Sequence, residues 1–285
     1  MNILLINHYA GSLDYGMEYR PFYMAREWVK AGHNVTIVGA TYSHLRIKNP
    51  AIKGKIGEEY IEGIRYVWLE SPAYEGNGLG RVRNMLTFLW RIFRHQRDIK
   101  GDHHPDVIIA SSTYPLDVYL AKYLAGKYFS KIVYEVHDLW PLSPMELGGM
   151  SKYHPFIMVM QMAENYAYRV SDRVIGFTQE MKTHMIGHGL AMDKFICIPN
   201  GVFIQDWYDE MKLEIPEEHK QLLYNLKNKG FFVLGYTGGH AISNALKDLI
   251  NAAEYLKDEK IAIVLVGHGA EKDRLIDLAK KKNLM

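Results

Sequence analysis

One cysteine, Cys197, stands among the 285 residues. A disulfide framework and a thiolate zinc site are therefore excluded within one chain, and a reducing compartment fits. Cys197 lies in the apolar run FICI and reads as a small buried hydrophobe. Excess charge of either sign is also lacking. The chain has 34 Lys and Arg against 32 Asp and Glu, a net +2. That balance excludes a polybasic nucleic-acid binder and leaves room for one local basic patch. No apolar stretch reaches the ~18–20 residues of a membrane span. The opening NILLIN is too short for the apolar part of a signal peptide. The expectation is a cytoplasmic chain, at most peripheral on the inner face of a membrane. Neither H-E-x-x-H nor G-x-S-x-G occurs, so zinc-protease and serine-hydrolase readings have no support.

What is present is ordinary in bulk: 48% hydrophobic and 23% charged residues, enough to bury a core. The length suits two α/β domains of ~100–150 residues each. Short apolar runs at 2–7, 34–40, 63–71, 106–112, 131–136 and 173–178, then FICI, read as buried parallel strands. Helical patterns lie between them, at 20–31, 79–98, 116–129 and 154–170. Residues 41–62 read as a long polar loop. The alternation predicts a doubly wound parallel sheet over residues 1–205. Residues 206–229 are rich in Glu, Lys, Asp and Asn and read as a linker with helical segments. Residues 230–285 begin a second sheet, with two strands and two helices.

Four stretches carry chemistry. In GYTGGHAISNALKDLI, Gly238 and Gly239 end a strand and allow close backbone approach, and a helix N-terminus follows. That geometry suits a diphosphate, with His240 as a further donor; the alternative is a plain strand–helix turn. In NHYAGSLDYGMEYRP, Gly11 and Gly16 punctuate a loop at the carboxyl end of the first strand. It is no G-x-G-x-x-G fingerprint. The second strand ends in Gly39-Ala40-Thr41, where a ribose-binding acid would be expected. GHGAEK at 267–272 holds half of that fingerprint. In EVHDLWP, His137 and Asp138 follow a buried strand on the ligand side, and Trp140 offers a stacking face. His103 and His104 read as surface-loop residues. In the helix at 79–98, Met85, Phe88, Leu89, Ile92 and Phe93 share one side. Arg83, Arg91, Arg94 and Arg97 gather on the other, with Trp90 at the border. This suits an anionic membrane interface or a core helix with a solvated basic face.

These residues together resemble the glycosyltransferase family 4 enzymes of the GT-B fold. The likeness is to bacterial members that build cell-surface polysaccharides, of the N-acetylfucosamine transferase kind. GMEYRPFYMAREWVKAGHNVTIVGATYSHLR, EVHDLWP, IPNGV, GYTGGHAISNALKDLINAA and VLVGHGAEKDRL carry it, in the family's order. The resemblance implies two Rossmann-like domains, an acceptor domain followed by a nucleotide-sugar domain. It implies sugar transfer with retention from a nucleotide-sugar, UDP-linked, to a lipid-linked or oligosaccharide acceptor, with no metal or other cofactor. It assigns His137 and Asp138 to catalysis. It puts Gly16, Gly238, Gly239, His240, Asn200 and Gly201 at the donor; the membrane reading of Arg83, Arg91, Arg94 and Trp90 rests on the helix pattern alone, which would bring the chain to lipid-carried acceptors.

The family's two glutamates, eight positions apart, have no counterpart up to Met285. The expectation is a second domain short by roughly 100 residues on the usual domain size. Two further readings stay open: a truncated, non-catalytic partner or inactive relic, and a Rossmann oxidoreductase, which the missing fingerprint disfavours.

Overall fold

A computed structural model describes every residue except 17, 45, 77, 209–213 and 285, and only the backbone of 206 and 207. The elements run β1 (Asn2–Ile6), α1 (Tyr19–Lys30), β2 (Asn34–Ala40), β3 (Ile56–Ile61), β4 (Ile64–Leu69), α2 (Leu79–Arg94), α3 (Gln96–Lys100) and β5 (Val107–Ala110). They continue with α4 (Asp117–Tyr128), β6 (Lys131–Glu135), α5 (Leu142–Glu146), α6 (Pro155–Val170), β7 (Arg173–Gly176), α7 (Met181–Gly187) and β8 (Phe195–Cys197). The last are α8 (Gln205–Tyr208), α9 (Glu217–Asn228), β9 (Phe232–Thr237), α10 (Leu246–Ala253), β10 (Ile261–Val266) and α11 (Lys272–Lys281). The chain divides into two compact units, Met1–Phe203 and Ile204–Met285.

The first unit is built on an eight-stranded sheet in the order β3-β4-β2-β1-β5-β6-β7-β8. β3 runs antiparallel to β4, and the other pairings are parallel. The unbroken apolar run of β1 is explained by burial on both faces. Leu4 and Ile6 pack with Phe88 and Ile92 of α2 and Val118 and Leu124 of α4. Ile3 and Leu5 point the other way, toward Phe22 and Ala25 of α1. The order reverses at β1, which lies between β2 and β5. Such a switch point opens a crevice beyond the carboxyl ends of the strands.

The expected loop at 41–62 needs correcting, because Ile56–Ile61 forms β3. This strand, IGEEYI, is at the sheet edge and half-solvated, so it lacks the continuous apolar run that marks its neighbours. Glu58 of β3 pairs with Arg65 of β4 at 2.7 Å. Cys197 is half-buried on β8, at the opposite edge.

The end of this unit is held down by one stripe of α1. Arg20 donates to the carbonyls of Ile198 at 2.9 Å and Pro199 at 3.0 Å. Tyr23 stacks on Phe203 with ring centroids 6.4 Å apart. The Arg26 guanidinium sits 3.9 Å from the centre of the Phe203 ring, and the Lys30 amine 4.7 Å from it. Positions 20, 23, 26 and 30 share a helix face, so a single surface grips residues 198–203.

In the second unit β9 and β10 pair in parallel. Leu246 and Ile250 of α10 and Leu275 of α11 form its small buried core.

Candidate functional site

In the first unit the site begins with three strand ends. Asn7 follows β1, and its buried amide donates to the Ser111 carbonyl at 2.7 Å, fixing the turn after β5. Glu135 ends β6, and His137 follows two positions later. Glu135 is buried, and the side chain of His137 is 8% exposed. Ser111 donates its hydroxyl to Glu135 Oε2 at 2.7 Å. The Nε2 of His137 lies 2.8 Å from the same hydroxyl oxygen and 3.5 Å from Glu135 Oε2. A hydroxyl proton already given to Glu135 leaves an oxygen that accepts from His137 Nε2–H.

The other edge of the imidazole faces Glu18. Its Oε2 lies 3.4 Å from His137 Nδ1. Glu18 caps α1 with φ 53° and ψ 53°, a left-handed backbone that costs a non-glycine residue energy. Arg20, two positions on, donates Nε–H to Glu135 Oε1 at 3.0 Å and reaches Asn200 Oδ1 at 3.1 Å. Its guanidinium also lies 4.5 Å from the centre of the Phe177 ring, which meets His137 edge-on. The array is thus two cations and two carboxylates around one serine.

The protonation states follow from these partners. Burial alone would raise the Glu135 carboxyl, but the hydrogen bond and charge of His137, with Arg20 and Ser111, hold it down to about 2. Burial would lower His137, yet the hydrogen bond and charge of Glu135 and the charge of Glu18 raise it above the ordinary imidazole value. Burial raises Glu18, against the charge of His137. The ring is held between two acids that favour its protonated form.

Asp138 is exposed beside this array. Trp140 turns away from it, edge-on to Phe156 and 5.7 Å from the Arg81 guanidinium. Gly16 sits at φ 75° in a turn closed by its N–H to Ser12 O at 2.8 Å. A side chain there would be strained, so the loop itself accounts for this glycine. Arg46 anchors the same loop through the carbonyls of Ala10 at 2.7 Å and Ala40 at 2.8 Å. Gly201 has φ in the ordinary range and open space around it, so nothing in its surroundings calls for glycine.

The second unit forms a separate glycine cradle. The turn Gly238-Gly239-His240 after β9 packs against Gly267-His268-Gly269 after β10. A Cβ on Gly267 would lie 1.8 Å from the Gly238 carbonyl oxygen, and one on Gly269 would lie 2.3 Å from that of His240. The amides of Gly239 and Gly269 have no partner among the described residues. The His240 amide is already given to the His268 carbonyl at 2.8 Å, so only its ring remains for a ligand. That ring is 96% buried by the 4% exposure of the residue, and both nitrogens lack partners among the described residues. Lys272 contributes a cation that donates to the Gly267 carbonyl at 3.1 Å.

The proposed membrane residues separate. Arg83, Trp90 and Arg94 are exposed on α2. Arg91 is tied to Glu70 at 2.5 Å with its side chain 16% exposed. Phe93, read on the core side, is exposed. His103 and His104 lie exposed before β5, as expected.

Sequence reasoning missed Glu18, Arg20, Ser111 and Glu135. Glu135 had a usable signal, since residues two apart at a strand end share a face with His137. Ser111 and Arg20 are brought in by strand order, which the sequence does not display.

Residues 15–205 match Glycosyltransferase Family 4. The chain is similar to the probable glycosyltransferase WbjE of Pseudomonas aeruginosa, 24% identical over 72% of this chain and 48% of that protein. It is also similar to WcaI of Escherichia coli (strain K12), a candidate colanic acid biosynthesis glycosyl transferase. That likeness is 25% identity over 90% of this chain and 64% of the relative. The chain therefore spans about half the length of the first of these relatives and under two thirds of the second. Its fold is similar to that of Anabaena HepE in complex with UDP and glucose. The TM-score is 0.61 at 16% identity, covering 100% of this chain and 67% of the other. No helix among the described residues is long and apolar enough to cross a membrane. A GT-B-like parallel sheet and a family match over more than half of the length agree: the chain belongs to Glycosyltransferase Family 4.

Proposed function

We propose that this chain carries the acceptor-binding part, and the diphosphate-binding part, of a glycosyltransferase of cell-surface polysaccharide synthesis. The reading rests above all on the buried ring of His137 held between Glu135 and Glu18 at the carboxyl ends of the strands. The donor is a nucleotide-sugar, UDP-linked, and the acceptor is a lipid-linked or other oligosaccharide hydroxyl. In the transfer the bond from the anomeric carbon to the diphosphate breaks and one to the acceptor oxygen forms. Configuration is retained, and the acceptor proton leaves with the diphosphate.

The Nδ1–H of His137, which has only a long 3.4 Å contact with Glu18, turns to the reacting sugar while Nε2–H stays on Ser111, and Asp138 is exposed beside it. In the second unit the free amides of Gly239 and Gly269, with the His240 ring and Lys272, take up charge on the leaving diphosphate without a metal. The UDP assignment is favoured by the similar fold of Anabaena HepE, which holds UDP and glucose in its complex.

Titration with UDP, ADP and GDP tests this. UDP is expected to bind at least tenfold tighter than the others, and Gly267→Ala is expected to abolish the binding. A methyl group there meets backbone rather than a side chain that can rotate away. Equal affinities would remove the uridine assignment, and unchanged binding by the variant would remove the cradle.

We also infer a peripheral site of action at an anionic membrane on the cytoplasmic side. Arg83 and Arg94 flank the exposed apolar side chains of Leu86, Trp90 and Phe93 on α2. Each basic residue at such a surface contributes about 1 kcal/mol. Arg83→Glu with Arg94→Glu is expected to lower binding to phosphatidylglycerol vesicles at least tenfold, and to leave neutral vesicles unaffected. Undiminished binding would locate the contact elsewhere.

A further inference from the structure

α6 and α7 bring together a second polar cluster, outside the machinery described above. His184 and His188 are four positions apart, so they share a face of α7 and its C-cap. Their rings are 4.3 Å apart, tilted by 37°. Glu164 of α6 faces them, with Oε1 lying 3.1 Å from His184 Nε2. One ligand atom from each of the three residues lies within 4.8 Å of the others.

The surroundings are those of a metal site more than of an ion pair. Glu164 is 1% exposed, and His184 is its one ion-pair partner among the described residues. A buried carboxylate without a fixed countercharge is costly, and a divalent cation removes that cost. The carboxylate is also oriented from behind. Tyr168 donates to Oε1 at 2.8 Å, and Gln161 donates to Oε2 at 2.6 Å. His188 Nδ1 lies 3.2 Å from Asn165 Oδ1 and 2.9 Å from Gln161 Nε2. Such outer partners set the tautomer and the direction of a ligating imidazole. The two protons of Gln161 Nε2 satisfy Glu164 Oε2 and Asn165 Oδ1, which leaves the unprotonated ring nitrogen of a neutral His188 available to an ion.

We propose that Glu164, His184 and His188 bind a divalent transition-metal ion, with Zn²⁺ the best match. Two imidazoles and one carboxylate suit a tetrahedral zinc with one open position. Ligand atoms at the usual Zn–N and Zn–O lengths sit about 3.3 Å apart, so small side-chain rotations close the set. His184 is 19% exposed, which gives the ion a path in. The ion fastens α7, and with it the β7–α7–β8 edge, onto α6. This role is structural and independent of sugar transfer.

The test is calorimetric titration of the chelator-treated full chain with ZnCl₂, alongside two double variants. The unaltered chain is expected to bind one equivalent with micromolar or better affinity. His184→Gln with His188→Gln is expected to weaken that event at least tenfold. His103→Gln with His104→Gln, which removes the exposed adjacent pair, is expected to leave it unchanged. Co²⁺ on the unaltered chain, which needs no variant to fold, is expected to give the intense visible bands of a four- or five-coordinate N/O site. No one-to-one event, loss of it in the His103/His104 variant, or a weak octahedral cobalt spectrum would each overturn the assignment.

Discussion

His137→Ala is expected to lower sugar-transfer turnover by about 10²–10⁴-fold, the range for losing a positioned proton donor. The expectation rests on how the ring is held. Its Nε2 is aimed at Ser111 Oγ at 2.8 Å, and its Nδ1 at Glu18 Oε2 at 3.4 Å. Both acids favour the protonated ring, and burial opposes it without prevailing. Alanine removes the donor and leaves Glu18 and Glu135 facing a gap. The glycine cradle proposed for the diphosphate lies in the other compact unit. The affinity for UDP should therefore remain within about threefold while kcat falls, since a group that acts on the reacting atoms raises kcat rather than ground-state binding. Steady-state kinetics beside a UDP titration separate the two. A variant that loses UDP binding and turnover in parallel would make His137 a positioning residue for the fold.

Glu135→Gln is expected to cost about 3–5 kcal/mol of stability near pH 6, because it strands Arg20 and protonated His137 in a buried site. The sign of the pH dependence follows from two opposite shifts. Glu135 is held down to about 2, so its contribution is present above the ordinary carboxyl range and lost as pH falls toward that value. His137 is held above its ordinary value, so its contribution is complete below that value and lost as pH rises through the raised one. The amide cannot hold the imidazole proton. The gap between wild type and variant should therefore be widest between these limits and narrow at both alkaline and strongly acid pH. Urea unfolding at several pH values measures it. A gap below 1 kcal/mol at pH 6 would show that the array contributes specificity and not stability.

The parallel strands were legible because burial on both faces writes a continuous apolar run. Ile3 to Ile6 and Ile132 to Tyr134 announce themselves in this way. β3 was not legible, because an edge strand such as IGEEYI carries Glu58 and Glu59 into partly solvated positions. His137 could be found from its place after a strand. Arg20 could not, since its partners lie 115 and about 180 positions away and only the sheet order joins them. The cradle was half legible. GHG after β10 is weak alone, and it gains meaning only when packing lays Gly267 against Gly238. On α2 the helical wheel separated apolar from basic residues, but Glu70 on a neighbouring segment draws Arg91 inward.

The stripe of α1 that grips residues 198–203 serves the charged site as well. Arg20 is committed at once to the charged site and to the carbonyls of Ile198 and Pro199. Phe203 is then clamped by Tyr23, Arg26 and Lys30. The backbone of this unit is therefore tethered to α1 as far as Phe203. Arg20 thus belongs both to the charged site and to the anchor of residues 198–200, so a substitution there is expected to disturb the two together.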